Sequence, residues 1–177
     1  MRRLDEAKAE AELAQKLDPV RLPFAYSQPG DEDRAIAFLR NYIEFNPDDG
    51  LAHLDLAECY ARKRMQKEHV GELQKTLSLF GFTKFASALY LAYATSGYQA
   101  ALRTWAVGLE SNGFNRPALV ANAYAQLGDK DLAFRWLERA YRERDGYLIQ
   151  LDADPVWDPL RSDLRFADLV RRVGLPR

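Results

Sequence analysis

The feature that most constrains the fold is a spacing that recurs along the chain. Tyr60, Tyr93 and Tyr124 lie 33 and 31 residues apart. Within four residues of each tyrosine the helical pattern breaks, at Arg64, Gly97 and Gly128 respectively. A period of about 34 residues predicts stacked helix hairpins. Several hairpins must stack, because a single hairpin cannot bury both of its faces.

Small residues follow these breaks at a regular distance. In "LGDKDLAFRWLERAY", residues 127–141, Ala133 and Ala140 alternate with the larger Leu137. Ala35 and Ala101 occupy the corresponding place in earlier segments. Antiparallel helices approach closely only where one side chain is small, and large residues one turn away fill the remaining space. The pattern therefore predicts close helix packing in each hairpin.

Helical spacing of apolar residues covers nearly the whole chain and predicts an all-α fold. Asp31 and Asp129 each follow a glycine and are predicted N-caps. Only "YLIQL", residues 147–151, is compatible with a strand, and it has no second strand to pair with. We therefore expect helices and no sheet.

Composition excludes several classes of partner. The net charge is -1, so no large positive field attracts nucleic acid or an anionic membrane surface. The uncharged stretch 85–102 contains Ser87, Gln99 and Gly97, which favours a helix buried among helices over a membrane span. A single cysteine, Cys59, and a charged amino-terminal segment predict a cytoplasmic protein.

At these positions the chain resembles the tetratricopeptide repeat (TPR) family, from Leu4 to Tyr141. The first-helix positions are Leu56, Ala57 and Tyr60, then Leu89, Tyr90 and Tyr93, then Val120, Ala121 and Tyr124. The second-helix positions are Ala7, Ala11 and Ala14; Ala35, Leu39 and Tyr42; Ala101, Trp105 and Gly108; and Ala133, Leu137 and Ala140. The resemblance implies a right-handed superhelix of stacked hairpins, a TPR solenoid.

On this reading residues 1–177 form a single TPR-like domain. Its parts are a half repeat at 1–19, a degenerate repeat at 20–49, repeats at 50–81, 82–112 and 113–145, and a capping segment at 146–177. The degenerate repeat contains two prolines in "VRLPFAYSQP", which prevents a full first helix. His69 and Thr76 occupy positions where the family has small residues.

The segment 143–176 resembles the tail that closes the carboxy-terminal TPR arrays of large bacterial regulators. In those proteins the array follows a winged-helix, kinase or cyclase domain, and no motif of these domains occurs in this chain. Phe166, Leu169 and Val173 are spaced as one helical stripe and are expected to cover Tyr141 and Trp136.

No residue pattern predicts a catalytic, cofactor or metal site. Asp152, Asp154, Asp158 and Asp163 are closely spaced, but an EF-hand loop beginning at Asp152 lacks glycine at its sixth position and glutamate at its twelfth. Pro155 and Pro159 follow two of these aspartates, a pattern typical of helix capping. His53, His69 and Cys59 form no zinc ligand set, and the chain is not expected to be an enzyme.

The TPR resemblance implies that first helices line a concave groove for a partner. Three i, i+4 pairs are expected to face it: Glu58 and Arg62, Leu91 and Thr95, and Asn122 and Gln126. Together they would present a charged, an apolar and an amide step to a protein or peptide. The alternative is that these positions are merely solvated.

The sequence therefore predicts a protein–protein interaction scaffold that binds a peptide or helix of a partner. A self-association module remains an alternative, with a homodimer formed through the half repeat at 1–19. An enzyme or a small-ligand sensor is a third interpretation, and an enclosed pocket with converging polar groups would favour it.

Overall fold

The computed structural model describes residues 30–112 and 116–175. Within these ranges every regular element is a helix, as predicted. The α-helices are α1 (Glu32–Phe45), α2 (Gly50–Arg62), α3 (Gln66–Leu79), α4 (Thr83–Ser96), α5 (Tyr98–Ser111), α6 (Pro117–Leu127), α7 (Lys130–Glu143) and α8 (Leu164–Val173). Two 3-10 helices, Gly146–Gln150 and Pro155–Leu160, lie between α7 and α8. The half repeat predicted at 1–19 lies outside the described residues.

Local signals set the ends of these helices. Asp31 and Asp129 are N-caps of α1 and α7, as predicted, and their carboxylates accept hydrogen bonds from the backbone N–H groups of Arg34 and Leu132. Asp49 caps α2 in the same way. Each cap satisfies backbone donors that the first turn of a helix leaves without partners.

The three predicted breaks are confirmed as turns between helices. Arg64, Gly97 and Gly128 all have positive φ angles, of 58°, 80° and 78°. Gly97 divides the uncharged stretch into α4 and α5, because its left-handed backbone cannot continue a helix. Among the described residues, none of the helices combines the length and the apolar character that a bilayer crossing requires.

The chain divides into two compact units, with the boundary between Gly81 and Phe82. In the first unit α1 packs on α2, and α2 packs on α3. Its core contains Ala35, Leu39, Leu56, Cys59 and Tyr60, all buried. The unit boundary falls where the sequence predicts the end of the repeat at 50–81.

In the second unit α4 to α7 pack in chain order, each against the next. Gly108 on α5 lies directly against Phe85 on α4, and a Cβ atom added to it would lie 2.0 Å from Phe85 Cζ. The Phe85 ring is itself held by stacking on Trp105, with ring centroids 5.7 Å apart. The small residue predicted at this position therefore allows α5 to approach α4 closely.

A tyrosine of the repeat pattern makes an equivalent hydrogen bond in each unit. The Tyr60 hydroxyl on α2 accepts from Arg40 Nε on α1 at 2.7 Å. The Tyr124 hydroxyl on α6 donates to Glu110 Oε1 on α5 at 2.6 Å. In both cases the first helix of one hairpin is joined to the second helix of the preceding hairpin, which gives Tyr60 and Tyr124 a shared structural role.

The end of the chain forms a cap on the second unit. The second 3-10 helix packs on α6, and α8 packs on α7. Trp157, Leu160, Phe166 and Leu169 are buried, while Val173 is partly buried. The Arg172 guanidinium lies over the Tyr141 ring at 4.7 Å, whereas the Trp136 indole N–H donates to Glu110 on α5. Residues 147–150, which could have passed for part of a strand, lie in a 3-10 helix.

Asp145 joins three parts of the second unit. Its Oδ1 accepts from the backbone N–H of Tyr147 at 3.0 Å, and its Oδ2 accepts from that of Ala118 at 3.1 Å. Its own backbone N–H donates to the carbonyl of Ala140 on α7. Since the N-cap Arg116 makes no side-chain capping bond, Asp145 supplies the cap of α6 from a distant position in the sequence.

We predict that Gly108→Ala lowers the free energy of unfolding by about 1–3 kcal/mol, because Phe85 cannot yield without leaving Trp105. Gly71→Ala is the matched control, since Gly71 lies within α3 with open space around its Cα. That change should raise stability by roughly 0.5–1 kcal/mol. Urea denaturation measures both, and equal effects of the two substitutions would contradict the close approach at Gly108.

We also predict that Asp145→Ala costs roughly 1–2 kcal/mol, because the backbone donors of Ala118 and Tyr147 lose their acceptor. Asp152→Ala is the control, since the Asp152 carboxylate is exposed and lies 3.5 Å from Arg161. Its effect should stay within about 0.5 kcal/mol. Thermal unfolding of the variants measures the difference, and the prediction fails if Asp145→Ala melts like the native protein.

Candidate functional site

The residues predicted to bind a partner lie on α2, α4 and α6, and each unit is considered by itself. Leu91 and Thr95 lie on the exposed side of α4, and 62% of Leu91 is accessible to solvent. They face away from the buried stripe of the same helix, formed by Phe85, Ala86 and Leu89. This pair lies where the spacing predicted.

Glu58 does not lie on an open surface. Only 8% of the residue is exposed, so the prediction that it faces solvent with Arg62 is wrong. Helix α2 is the middle helix of its unit and has neighbours on two sides, α1 and α3. Packing on both sides leaves it little outward surface.

Arg62 is held inside the first unit by side chains of α1 and α2. Its Nε donates to Glu32 Oε1 at 3.1 Å and its Nη2 to Cys59 Sγ at 3.3 Å, and only 4% of its side chain is exposed. Glu32, thirty residues earlier in the sequence, is thus an intramolecular partner of Arg62. The guanidinium therefore fastens α2 to the start of α1.

The amide pair on α6 is also turned inward. Asn122 is 9% exposed, and its Oδ1 accepts from Gln126 Nε2 at 2.6 Å. Gln126 Oε1 accepts in turn from the Tyr98 hydroxyl on α5 at 3.0 Å. Asn122 is therefore buried with its amide engaged by Gln126, and it offers little surface to a partner. Of the predicted pairs, only Leu91 and Thr95 remain openly exposed.

One linking residue was missed by the sequence reasoning. Glu110 on α5 accepts from the Tyr124 hydroxyl and, at 3.2 Å, from the Trp136 indole N–H. Burial and this carboxylate raise the pKa of Tyr124 to about 12, so the phenol stays protonated and donates. The only signal in the sequence was the recurring tyrosine, which marks a position that needs a polar partner on the preceding helix.

The aspartates near the carboxyl terminus act mostly on helix ends. Asp154 and Asp163 cap the second 3-10 helix and α8, accepting from the backbone N–H groups of Val156 and Arg165. Asp158 lies inside the 3-10 helix and pairs with Arg161 at 2.8 Å, so the capping predicted from Pro159 is wrong. Residues 30–112 and 116–175 contain no group of His, Cys, Asp and Glu side chains able to hold a metal ion.

Cys59 lies fully buried in the first unit. Burial raises the pKa of its thiol to about 12, although the nearby Arg62 guanidinium opposes the shift. A thiol with this pKa carries almost no thiolate near neutral pH, and thiolate is the reactive form. In this environment the Cys59 side chain contributes to the packing of the core.

A cavity of about 820 Å³ lies at the turn between α6 and α7. It is lined by Arg103, Tyr124 and residues 127–132. Asp129 in this lining caps α7, and Asp131 pairs with Arg165 at 2.9 Å. Two of its acidic groups are therefore already engaged, one in capping α7 and one in an ion pair with α8.

The two histidines of the α2–α3 hairpin are both buried, in opposite electrostatic surroundings. His53 Nδ1 lies 2.6 Å from Glu72 Oε2, and His53 Nε2 lies 3.1 Å from the Pro47 carbonyl oxygen. Both partners accept hydrogen bonds, so a protonated ring donates from each nitrogen. Burial lowers the pKa of His53 and Lys75 opposes protonation, but the bonds to Glu72 and Pro47 outweigh them and the pKa is raised. Burial lowers the pKa of His69 to about 4.

Comparison of the chain with protein-family models, with curated proteins and with solved structures gives no match. What the protein does is therefore inferred from the contacts and exposure of its own residues. The exposed side of α4 is the candidate site, because the other predicted binding residues are engaged within their own units.

We predict that His53→Gln destabilises the protein more at about pH 5.5 than at about pH 8.5. Folding raises the pKa of His53, so its stabilising effect is complete below the unfolded pKa of about 6.5 and is lost as the pH rises through the folded value. Urea titrations at both pH values measure this difference.

His69→Gln should have the opposite pH dependence. Folding lowers the pKa of His69, so the native state is penalised as the pH falls from about 6.5 toward about 4, and the variant should gain stability relative to the native protein there. If both variants change stability equally at the two pH values, the assignment of protonation states is wrong.

Proposed function

We propose that the protein is a TPR-like interaction scaffold that binds a peptide or helix of a partner protein. In this proposal its hairpins stack as a right-handed superhelix and the first helices supply the binding surface. The hairpin order of the helices, the small residues at their contacts and the equivalent bonds of Tyr60 and Tyr124 support the repeat interpretation. The resemblance of the tail to bacterial regulators favours a regulatory setting in the cytoplasm.

The observation that carries this proposal is the exposed apolar surface of α4. Tyr90 and Leu91 are 54% and 62% exposed, on a helix whose opposite side is buried. Scattered exposed apolar residues are ordinary on proteins, but adjacent large ones on a helix whose one charged residue, Lys84, lies in its first turn mark an interaction surface. The residues between Lys84 and Arg103 carry no charge that would keep this surface hydrated.

The proposed binding site contains fewer residues than the sequence predicted. A partner that binds there contacts Leu91 and Thr95 directly. Glu58, Arg62, Asn122 and Gln126 already have intramolecular roles or little exposed surface, so in this proposal each contributes to the packing of its own unit. Substitution of these residues would therefore mainly lower the stability of the protein and would change partner binding less.

We predict that Leu91→Arg weakens the binding of a captured partner by about 1–3 kcal/mol, the usual effect of losing a central interface contact. Stability should change by less than about 0.5 kcal/mol, because Leu91 is largely exposed. The measurement is a pull-down followed by calorimetric titration of the partner that is recovered.

Two control variants distinguish this surface from others. Ile149→Arg places the same charge at another exposed apolar residue, on the first 3-10 helix, and should leave binding unchanged. Arg135→Ala changes an exposed side chain of the second helix α7. If Arg135→Ala abolishes binding while Leu91→Arg binds normally, the partner uses the second helices and the assignment to α4 is wrong.

A further inference from the structure

The exposed side of α4 carries a continuous stripe at helical spacing. Successive turns of α4 place Lys84, then Ser87 and Ala88, then Leu91, then Ala94 and Thr95 on this side, three or four residues from one turn to the next, and all six are exposed. We call these residues the α4 outer stripe. It extends over about three turns, and small side chains flank Leu91 on both sides, which leaves room for the close approach of another helix.

The polar groups of the α4 outer stripe are turned back to the helix itself. Ser87 Oγ donates to the Thr83 carbonyl at 3.0 Å, and Thr95 Oγ1 donates to the Leu91 carbonyl at 2.8 Å. The stripe therefore offers no hydroxyl donor to a ligand between Lys84 and Thr95. An extended peptide lying along it would obtain no hydrogen bonds from these hydroxyl groups for the backbone carbonyls that face the helix and lose water there. A helix satisfies its own backbone and has no such cost.

The charge of Lys84 favours a partner protein over a second copy of this chain as the occupant of the α4 outer stripe. Lys84 is the single charged residue of the stripe and lies at its amino-terminal end. Two parallel copies of α4 would place one Lys84 against the other, and antiparallel copies would place it opposite Thr95. Since α4 contains no carboxylate, a second copy offers Lys84 no counter-charge. A partner helix with an acidic residue at the matching end supplies this counter-charge.

We propose that the α4 outer stripe binds an amphipathic helix of a partner protein. The helix presents an uncharged apolar stripe of about three turns and one carboxylate that meets Lys84. This inference rests on the proposed scaffold function and specifies the chemistry of its partner. A contact of this size lies at the small end of protein interfaces, so its Kd is on the order of micromolar or weaker.

Three synthetic peptides of about 14 residues, the length of α4, test the inference. The first is an amphipathic helix with a Leu/Ala stripe and a glutamate at one end. The second has proline at its centre, which breaks the helix, and the third has lysine in place of the glutamate. Each is titrated into the full-length ¹⁵N-labelled protein while the amide signals of α4 are followed by NMR. The first should bind at least about tenfold more tightly than either of the others.

A charge exchange tests the role of Lys84. In the Lys84→Glu variant the lysine peptide should bind more tightly than the glutamate peptide, which reverses the preference of the native protein. Lys67→Glu is the matched control on α3, since Lys67 is also an exposed lysine in the first turn of its helix, and it should leave the preference unchanged. An unchanged preference in Lys84→Glu would overturn the assignment of the carboxylate.

Other outcomes separate this inference from the proposed function. Equal or tighter binding of the proline peptide would show that α4 accepts an extended segment, so the helix inference would fail while the scaffold function stood. No perturbation of α4 by any peptide at about millimolar concentration would also overturn the helix inference. Self-association that is lost in Leu91→Arg would assign the stripe to a second copy. The scaffold function fails separately, if the native protein retains no partner protein in the pull-down. Full affinity of Leu91→Arg for a natural partner would instead move the binding site away from α4.

Discussion

Close approach of neighbouring helices is the constraint on which the rest of this structure depends. Each helix is about 14 residues long or shorter and has too little apolar surface to be stable alone. Burial comes from contact with the next helix along the chain, and that contact requires a small residue wherever two helix backbones come close. Gly108 against Phe85 is the clearest case, and Ala101, Ala133 and Ala140 are fully buried at corresponding positions. Only after this packing is set do the polar side chains fall within bonding distance of each other.

Those polar side chains mostly join helices to helices. Arg62 fastens α2 to α1, Gln126 links Asn122 to Tyr98, and Glu110 receives donors from both α6 and α7. A buried polar group must have a partner, and the nearest partner in a stack of helices is usually on the neighbouring helix. Side chains that could have bonded a peptide are thus used within the units, and of the predicted binding pairs Leu91 and Thr95 on α4 are left exposed.

The carboxylates near the end of the chain also bond groups that need a partner, in this case the backbone N–H groups at helix ends. Asp145, Asp154 and Asp163 each accept backbone N–H groups that would otherwise lack partners. Their close spacing in the sequence reflects a succession of short helices in the cap. A run of aspartates in such a segment is explained by helix initiation, because every new helix begins with backbone donors that need acceptors.

The sequence by itself determined the helical class, the turns and the positions of close packing. Asp31, Gly97, Gly128 and Gly108 act through neighbouring backbone or through their own size, and such local effects can be read from residue order. The tertiary structure decided which predicted binding residues are accessible. An i, i+4 spacing shows that Glu58 and Arg62, or Asn122 and Gln126, share one side of a helix, but it does not show which helix packs against that side. Glu32, Tyr98 and Asp145 act across gaps of about 27 to 30 residues, and only the assembled helices bring such groups within bonding distance.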